Sequence, residues 1–359
     1  MNLRKQFSAI TLSTLLALLA TFCGGQTSVP QQPEQPPPRR AVHSHRPDVR
    51  EAAVAPALCA SCVQSNLAYL AGPELHGRGS GTEDEHRAAQ FIAEKLKLYG
   101  LMPAAGDGQF IQTATIHSPV TGNASDSDSE ETKSSEPEVT TTWNVLGKIE
   151  GTGAKDEVIL LSAHLDHLGV VKGKTYYGAD DNASGTVGVM ELARILAKGP
   201  RPNRTIVVAL WGSEEAGLLG SEYFLQHPAF PPKDIVANLE FEMIGRRDQQ
   251  LKSHELWLSG WDRTNLGPEL VAHGADLVAD PHKAEKFFTR SDNFALAKQG
   301  IIAQTVSSYG LHADYHQPTD TVDKIDFQHI DRAIASMLGP VTWLANTDFK
   351  PEWVAGKKP

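Results

Sequence analysis

Short apolar runs over 158–161, 205–211, 235–244 and 301–306 are separated by stretches of helical spacing, and this alternation confines the chain to few architectures. Such runs read as strands buried on both faces. Residues 86–99 place Ala88, Ala89, Phe91, Ile92, Leu96 and Leu98 at roughly helical spacing and stop at Gly100. Residues 187–196 and 218–225 carry the same period. Strands alternating with helices predict an α/β fold: a three-layer sandwich whose mostly parallel, mixed central sheet is covered by helices on both faces. In such sheets, functional residues gather at the C-terminal ends of the strands.

The flanks are of another kind. Arg4 and Lys5 precede an apolar run from Ala9 to Ala20, too short for a comfortable membrane span and typical of an export signal over 1–25. A lipid anchor at Cys23 is the alternative, against which stands the bulky Phe22. Either start predicts a periplasmic or secreted protein. Residues 26–56 are rich in Pro and Gln and read as a disordered linker. The catalytic body is expected over 57–347, with a disordered acidic insertion at 122–140 and a C-terminal tail at 348–359. The insertion does not have the spacing of a calcium loop. Cys59 and Cys62 form a CxxC, for which a local disulfide is the simplest reading in an exported chain. The formal charge of −10 argues against nucleic acid as a partner.

Histidines and carboxylates fall at the expected strand ends. The first strand closes on Ala163-His164-Leu165-Asp166-His167, where an imidazole can bind a metal while a neighbouring carboxylate fixes its tautomer. Gly178-Ala-Asp-Asp-Asn-Ala-Ser-Gly185 leads into the helix near Val187, and helix capping accounts for only part of that acidic cluster. The second strand closes on Glu214-Glu215, which repel each other unless a cation is present. Glu240 and Glu242 share one face of an otherwise apolar run, which calls for a partner or for a wet edge strand. Tyr315-His316 lies near the end. Oxygen-rich donors with imidazole suit zinc or a similar divalent ion. Neither GxSxG nor HExxH occurs.

In order and wording these motifs resemble the co-catalytic dizinc exopeptidases of clan MH, which include bacterial leucyl aminopeptidases, glutamate carboxypeptidases and glutaminyl cyclases. The likeness runs from about Asn66 to about Leu344 and includes Leu75-His-Gly-Arg-Gly-Ser-Gly81, Asn144-Val-Leu-Gly147, Glu242-Met-Ile-Gly245 and Ser291-Asp292 besides the motifs above. It implies two zinc ions, with cobalt or manganese as substitutes, bridged by Asp180. Glu215 and His316 would complete one site, and His164 and Glu242 the other. Glu214 would be the general base, and Asp166 the partner of His164. The implied activity is that of a metal-dependent exopeptidase releasing N-terminal amino acids from peptides through a water that bridges the zinc ions.

Two departures from the family pattern matter. Many relatives carry Asp where this chain has Glu242, which leaves Glu240 as a rival ligand. Some carry a Tyr where Phe287 and Phe288 stand here, so Tyr309 or Tyr315 would have to replace its hydroxyl. A glutamate-type carboxypeptidase or dipeptidase is the nearest alternative, but residues 101–143 leave no room for the accessory domain usual there. Glutaminyl cyclases use one zinc and do not need this full ligand set. A non-catalytic, receptor-like relative would be expected to have lost ligands or base, yet His164, Asp180, Glu214, Glu215 and His316 are all present.

Overall fold

The computed structural model describes residues 57–118 and 138–359. The expected export signal with Cys23, the linker and residues 122–137 of the insertion lie outside the described residues.

The described chain begins with helix α1 (Ala60–Leu70), preceded by Cys59, which is disulfide-bonded to Cys62. Helix α2 (Glu83–Tyr99) follows. The Thr82 hydroxyl accepts the Glu85 N–H at 3.4 Å, three acids complement the dipole of the first turn, and Gly100 at φ +94° ends the helix. Strand β1 (Met102–Pro103) precedes the hairpin of β2 (Ile111–Ser118) and β3 (Glu138–Ile149). Residues 138–140, expected in the insertion, thus belong to a paired strand.

Strand β4 (Val158–His164) leads through a small hairpin, β5 (Gly169–Val171) and β6 (Lys174–Tyr176), into a tight turn at Ala179–Ser184. Helix α3 (Gly185–Lys198) springs from that turn. Then come β7 (Thr205–Trp211), α4 (Leu219–Gln226) and β8 (Ile235–Glu242). Next are β9 (Leu256–Leu258), α5 (Leu266–Ala272) and β10 (Leu277–Ala279). The last elements are α6 (Asn293–Lys298), β11 (Ala303–Ser307) and α7 (Phe327–Leu344). The expected tail at 348–359 packs on the body: Trp353 Nε1 donates to Gly300 O at 3.0 Å, and Thr264 bridges to Trp353.

The nine-stranded sheet has the order β1-β3-β7-β4-β8-β11-β9-β10, with β2 paired to β3. Its centre is parallel, since β4 pairs in parallel with both β7 and β8, and β8 with β11. Antiparallel pairs flank that centre. This is the mixed, mostly parallel arrangement expected from the sequence.

Alternation along each central strand sends side chains into two cores. Ile159, Leu161, Ile206 and Val208 pack with the helices α1, α2, α3 and α7. Leu160, Val207 and Trp211 pack against Phe224 of α4 and Leu296 of α6. Each fully buried Leu or Ile contributes about 1.5–3 kcal/mol. Capping and propensity add less, so it is the apolar runs that decide the layering.

One polar column interrupts the α4–α6 face. Asn238 Nδ2 donates to Ser162 Oγ at 2.6 Å, and the Ser162 hydroxyl donates to the Glu240 carboxylate. All three residues are inaccessible to solvent. The wet-edge reading of Glu240 therefore fails, because β8 lies between β4 and β11. Burial holds the Glu240 carboxyl well above the ordinary range.

A second buried acid, Glu85 of α2, joins three segments. It accepts the Gly81 N–H at 2.5 Å, the Thr142 hydroxyl at 2.5 Å and the Ser213 hydroxyl at 3.3 Å. Burial, reinforced by nearby Asp166, pushes its carboxyl from the ordinary 4.5 up to about 8. A raised carboxyl pKa means that the folded state prefers the proton. The stability so gained is full below pH 4.5 and is lost as pH rises through about 8. The expected outcome is a melting temperature that falls across that window in the wild type and falls less in Glu85→Gln, read by calorimetry at fixed ionic strength. An equal slope in both proteins would contradict it.

Candidate metal centre

Because β4, β7, β8 and β11 run in parallel, their C-terminal ends open on one edge of the sheet, and the histidines and acids of the motifs meet there. β4 delivers His164 as its last residue, with Asp166 and His167 just beyond. The turn after β7 carries Glu214 and Glu215, β8 ends on Glu242, and the segment after β11 carries His312, His316 and Asp320.

Asp181 sits in the middle. Its Oδ1 lies 3.3 Å from His164 Nε2, and its Oδ2 lies 3.1 Å from His316 Nε2. On one side, Glu242 Oε1 is 3.2 Å from the same His164 nitrogen. On the other, Glu215 is 3.2 Å from His316 Nε2 and 2.8 Å from His167 Nδ1. Two donor groups thus share one carboxylate: His164, Asp181 and Glu242, and His167, Asp181 and Glu215. Glu214 Oε2 stands 4.0 Å from His164 Nε2, beside the first group.

The turn into α3 corrects one expectation. Asp180, expected as the bridge, has its carboxylate engaged elsewhere: Oδ1 accepts the Gly245 N–H at 2.7 Å and the Ser184 hydroxyl at 3.1 Å, and Oδ2 meets His312 Nε2 at 2.9 Å. The Asp320 carboxylate accepts the N–H groups of Asp180 at 3.0 Å and Asp181 at 3.1 Å. Held in that way, the turn sends Asp180 toward Gly245 and Asp181 into the cluster.

Asp166 also differs from its expected part. Its carboxylate is 3.7 Å from His164 Nδ1 but only 2.9 Å from the Glu214 N–H, and it further accepts the Glu215 N–H at 3.3 Å and the Ser80 hydroxyl at 2.5 Å. It therefore fixes the backbone of the Glu214–Glu215 turn more than it orients the imidazole. Arg78, in the same glycine-rich motif as Ser80, is buried and donates to the carbonyls of Leu165 at 2.8 Å and Gly178 at 2.9 Å. Glu240 stays below the cluster on Ser162, leaving Glu242 as the β8 carboxylate that reaches the histidine.

At these distances the charges act strongly on one another. Burial drives the Glu214 carboxyl well up; His164 opposes this and Glu242 adds to it. Burial would also raise Asp181, but the imidazoles of His164 and His316 hold it well below its ordinary value. Burial would lower His316, yet Asp181 and Glu215 lift it to about 10. Asp181 Oδ2 is buried and makes no well-directed hydrogen bond despite the closeness of His316. His164 and Glu242, and His167 and Glu215, meet with hydrogen-bond geometry, whereas the contacts of His164 and His316 with Asp181 do not, and so many carboxylate oxygens around imidazole nitrogens fit a divalent cation between them.

A cavity of about 290 Å³ adjoins the cluster. Glu214 and Glu242 line its floor, and Met243, Trp257, Phe287 and Tyr309 form an apolar wall. Trp257 and Phe287 stack at 5.1 Å, and the Arg290 guanidinium lies 4.9 Å from the Phe287 ring. Phe288 turns instead toward α6 and Trp353. The hydroxyl-bearing rings of Tyr309 and Tyr315 line the cavity, and burial pushes the Tyr309 phenol up to about 12.

Comparison with known proteins finds relatives in sequence and in fold. A leucine aminopeptidase 2 of Arthroderma otae is 27% identical over 213 residues, covering 52% of this chain and 41% of the relative. An aminopeptidase of Pseudomonas aeruginosa is 40% identical over 107 residues, covering 30% of this chain and 19% of the relative. The chain thus spans less than half the length of these curated relatives. Among solved structures, a zinc aminopeptidase from Bacillus subtilis superposes with a TM-score of 0.60 at 18% identity, covering 82% of this chain and 97% of that one. A glutaminyl cyclase of Porphyromonas gingivalis gives 0.57 at 17% identity, with 79% and 98% covered. At such identities these likenesses show the fold. Residues 144–339, more than half of the 359, match the model of peptidase family M28, and the chain belongs to that family.

Proposed function

We propose that this protein is an exported two-metal zinc exopeptidase that removes N-terminal amino acids from peptides. The observation that carries the reading is the position of Asp181, whose two oxygens face His164 on one side and His316 on the other. His164, Asp181 and Glu242 would hold one ion, and Asp181, Glu215 and His316 the other. A zinc pair bound there would supply Lewis acidity toward water and toward a peptide carbonyl.

The chain's own residues do the rest. Glu214 is the general base: it takes the proton of the attacking water and returns it to the leaving amine. Asp166 and Ser80 keep the Glu214–Glu215 turn in place. The aromatic wall receives a single apolar side chain and excludes water. A cavity of about 290 Å³ suits one terminal residue better than an extended peptide, which favours exo- over endopeptidase action. The names of the relatives favour the amino end. Export is supported by the apolar run after Arg4 and Lys5 and by the Cys59–Cys62 disulfide, which suits an oxidising compartment. No described helix is long and apolar enough to cross a membrane.

The purified protein is expected to hold two zinc equivalents and to release p-nitroaniline from its leucyl anilide in a chelator-sensitive way, with the N-acetylated anilide inert. Preference for blocked or C-terminal substrates would overturn the aminopeptidase reading. Glu214→Gln should keep both metals while kcat drops by about 10²–10⁴-fold; full turnover in that variant would exclude Glu214 as the base. Metal analysis should find both equivalents retained in Asp180→Asn and Glu240→Ala, but lowered in Asp181→Asn and Glu242→Ala. The reverse pattern would restore Asp180 and Glu240 as ligands.

A further inference from the structure

The apolar wall of the cavity is a cluster of its own. Met243, Trp257, Phe287 and Tyr309 pack together apart from the two cores of the sheet. Trp257 is anchored by strand β9 and by its Nε1, which donates to Tyr309 O at 3.1 Å. Phe287 is on no strand. It stands in a segment whose preceding residues, 283–286, are exposed, so its place is decided by how the two ends of that segment are held.

One end is held at the cluster, where the Ser291 hydroxyl donates to Glu242 at 2.5 Å. The other is held by a buried pair that the chemistry above leaves unused. His282 Nε2 lies 2.6 Å from Asp248 Oδ2, and both residues are buried. We propose that the Asp248–His282 pair is the positioning element that fixes Phe287 as the cavity wall, and so sets a preference for a large apolar N-terminal residue.

The pair touches the wall directly. The His282 ring meets Phe287 edge-on, with centroids 6.1 Å apart at 87°. Phe287 in turn stacks on Trp257 and meets Tyr309 edge-on at 5.7 Å. The pair is itself fixed from several sides. The Asp280 carboxylate accepts the His282 N–H at 2.7 Å, and Asp248 Oδ1 accepts the Gln250 N–H at 2.8 Å. Gly310, next to Tyr309, packs so closely that a Cβ there would fall 2.8 Å from Asp248 Cα. Asp248 therefore ties the segment carrying Phe287 to the one carrying Tyr309.

Moving His282 away would strand a buried carboxylate without its partner, a cost that an apolar contact alone does not impose. The ring of Phe287 is thus held in place rather than merely packed. A leucyl side chain reaches such a wall and an alanyl one does not, so displacing the wall costs the larger residue more.

The inference rests on the aminopeptidase reading, and comparing leucyl with alanyl p-nitroanilide keeps the two apart. His282→Ala should retain its metals and raise KM for the leucyl substrate by about 10-fold, with kcat and the alanyl KM changed by less than about 3-fold. His282→Gln, whose amide nitrogen can still donate to Asp248, should recover most of the leucyl preference. In a Phe287→Ala background, loss of His282 should change that preference no further. An equal loss on both substrates, or an undiminished leucyl preference in His282→Ala, would overturn the proposal. Where His282→Ala does not fold, Asp248→Asn is combined with Phe287→Ala. Non-additive effects on the leucyl-to-alanyl ratio uphold the role, and additive ones overturn it. A wild type that cleaves neither anilide but accepts blocked or C-terminal substrates would bring down the aminopeptidase reading, and this proposal with it.

Discussion

The Asp320 carboxylate accepts the N–H groups of Asp180 and Asp181, and that pair of bonds decides how the centre is built. It holds the turn between β6 and α3 in a shape that sends two adjacent aspartates in opposite directions. One carboxylate secures the loop after β8 through the Gly245 N–H, and the other enters between the histidines. Asp320 is buried, and burial with the charge of Asp180 lifts its carboxyl to about 6. A charge is tolerated there because its oxygens are met by backbone donors.

A similar logic runs through the surrounding shell. Asp166 accepts the amides of Glu214 and Glu215, Glu85 holds Ser213 and Gly81, and Arg78 binds the carbonyls before and after the β5–β6 hairpin. Each is a charged side chain spent on backbone groups of a loop at the strand ends. Loops normally shed their unpaired backbone polar groups into water. Here they are drawn into a low-dielectric site, and buried side chains supply the missing partners. The donor atoms of each group can thus converge to within 4.8 Å of one another.

Much of the architecture was legible in the sequence. The run over 205–211 matches β7 residue for residue, and the helical period over 187–196 falls within α3. The strand read at 301–306 begins two residues later, where Ala303 pairs with Asn238. Helices α1 and α7 and the β2–β3 hairpin were less apparent. α1 is short, with its buried residues limited to one stripe, and the hairpin is split by the acidic stretch. The site was legible as a set of motifs, since each acid or histidine stands at the end of an apolar run.

What the sequence determined by itself was the fold class, the edge of the sheet where chemistry gathers and the kinds of donor found there, because those follow from period, length and the cost of burying charge. Only the tertiary structure decided which of two neighbouring residues enters the cluster of histidines and acids. Asp180 and Asp181 have the same chemistry and adjoin each other, and Glu240 and Glu242 share a strand face. Which one reaches the centre depends on contacts from residues far away in sequence: Asp320 and Gly245 for the first pair, Ser162 for the second. The nearness of His167 to His316 likewise arises only when the β4 end and the segment after β11 fold against the same turn. Local pattern fixes what a residue can do, and long-range hydrogen bonds fix where its atoms stand.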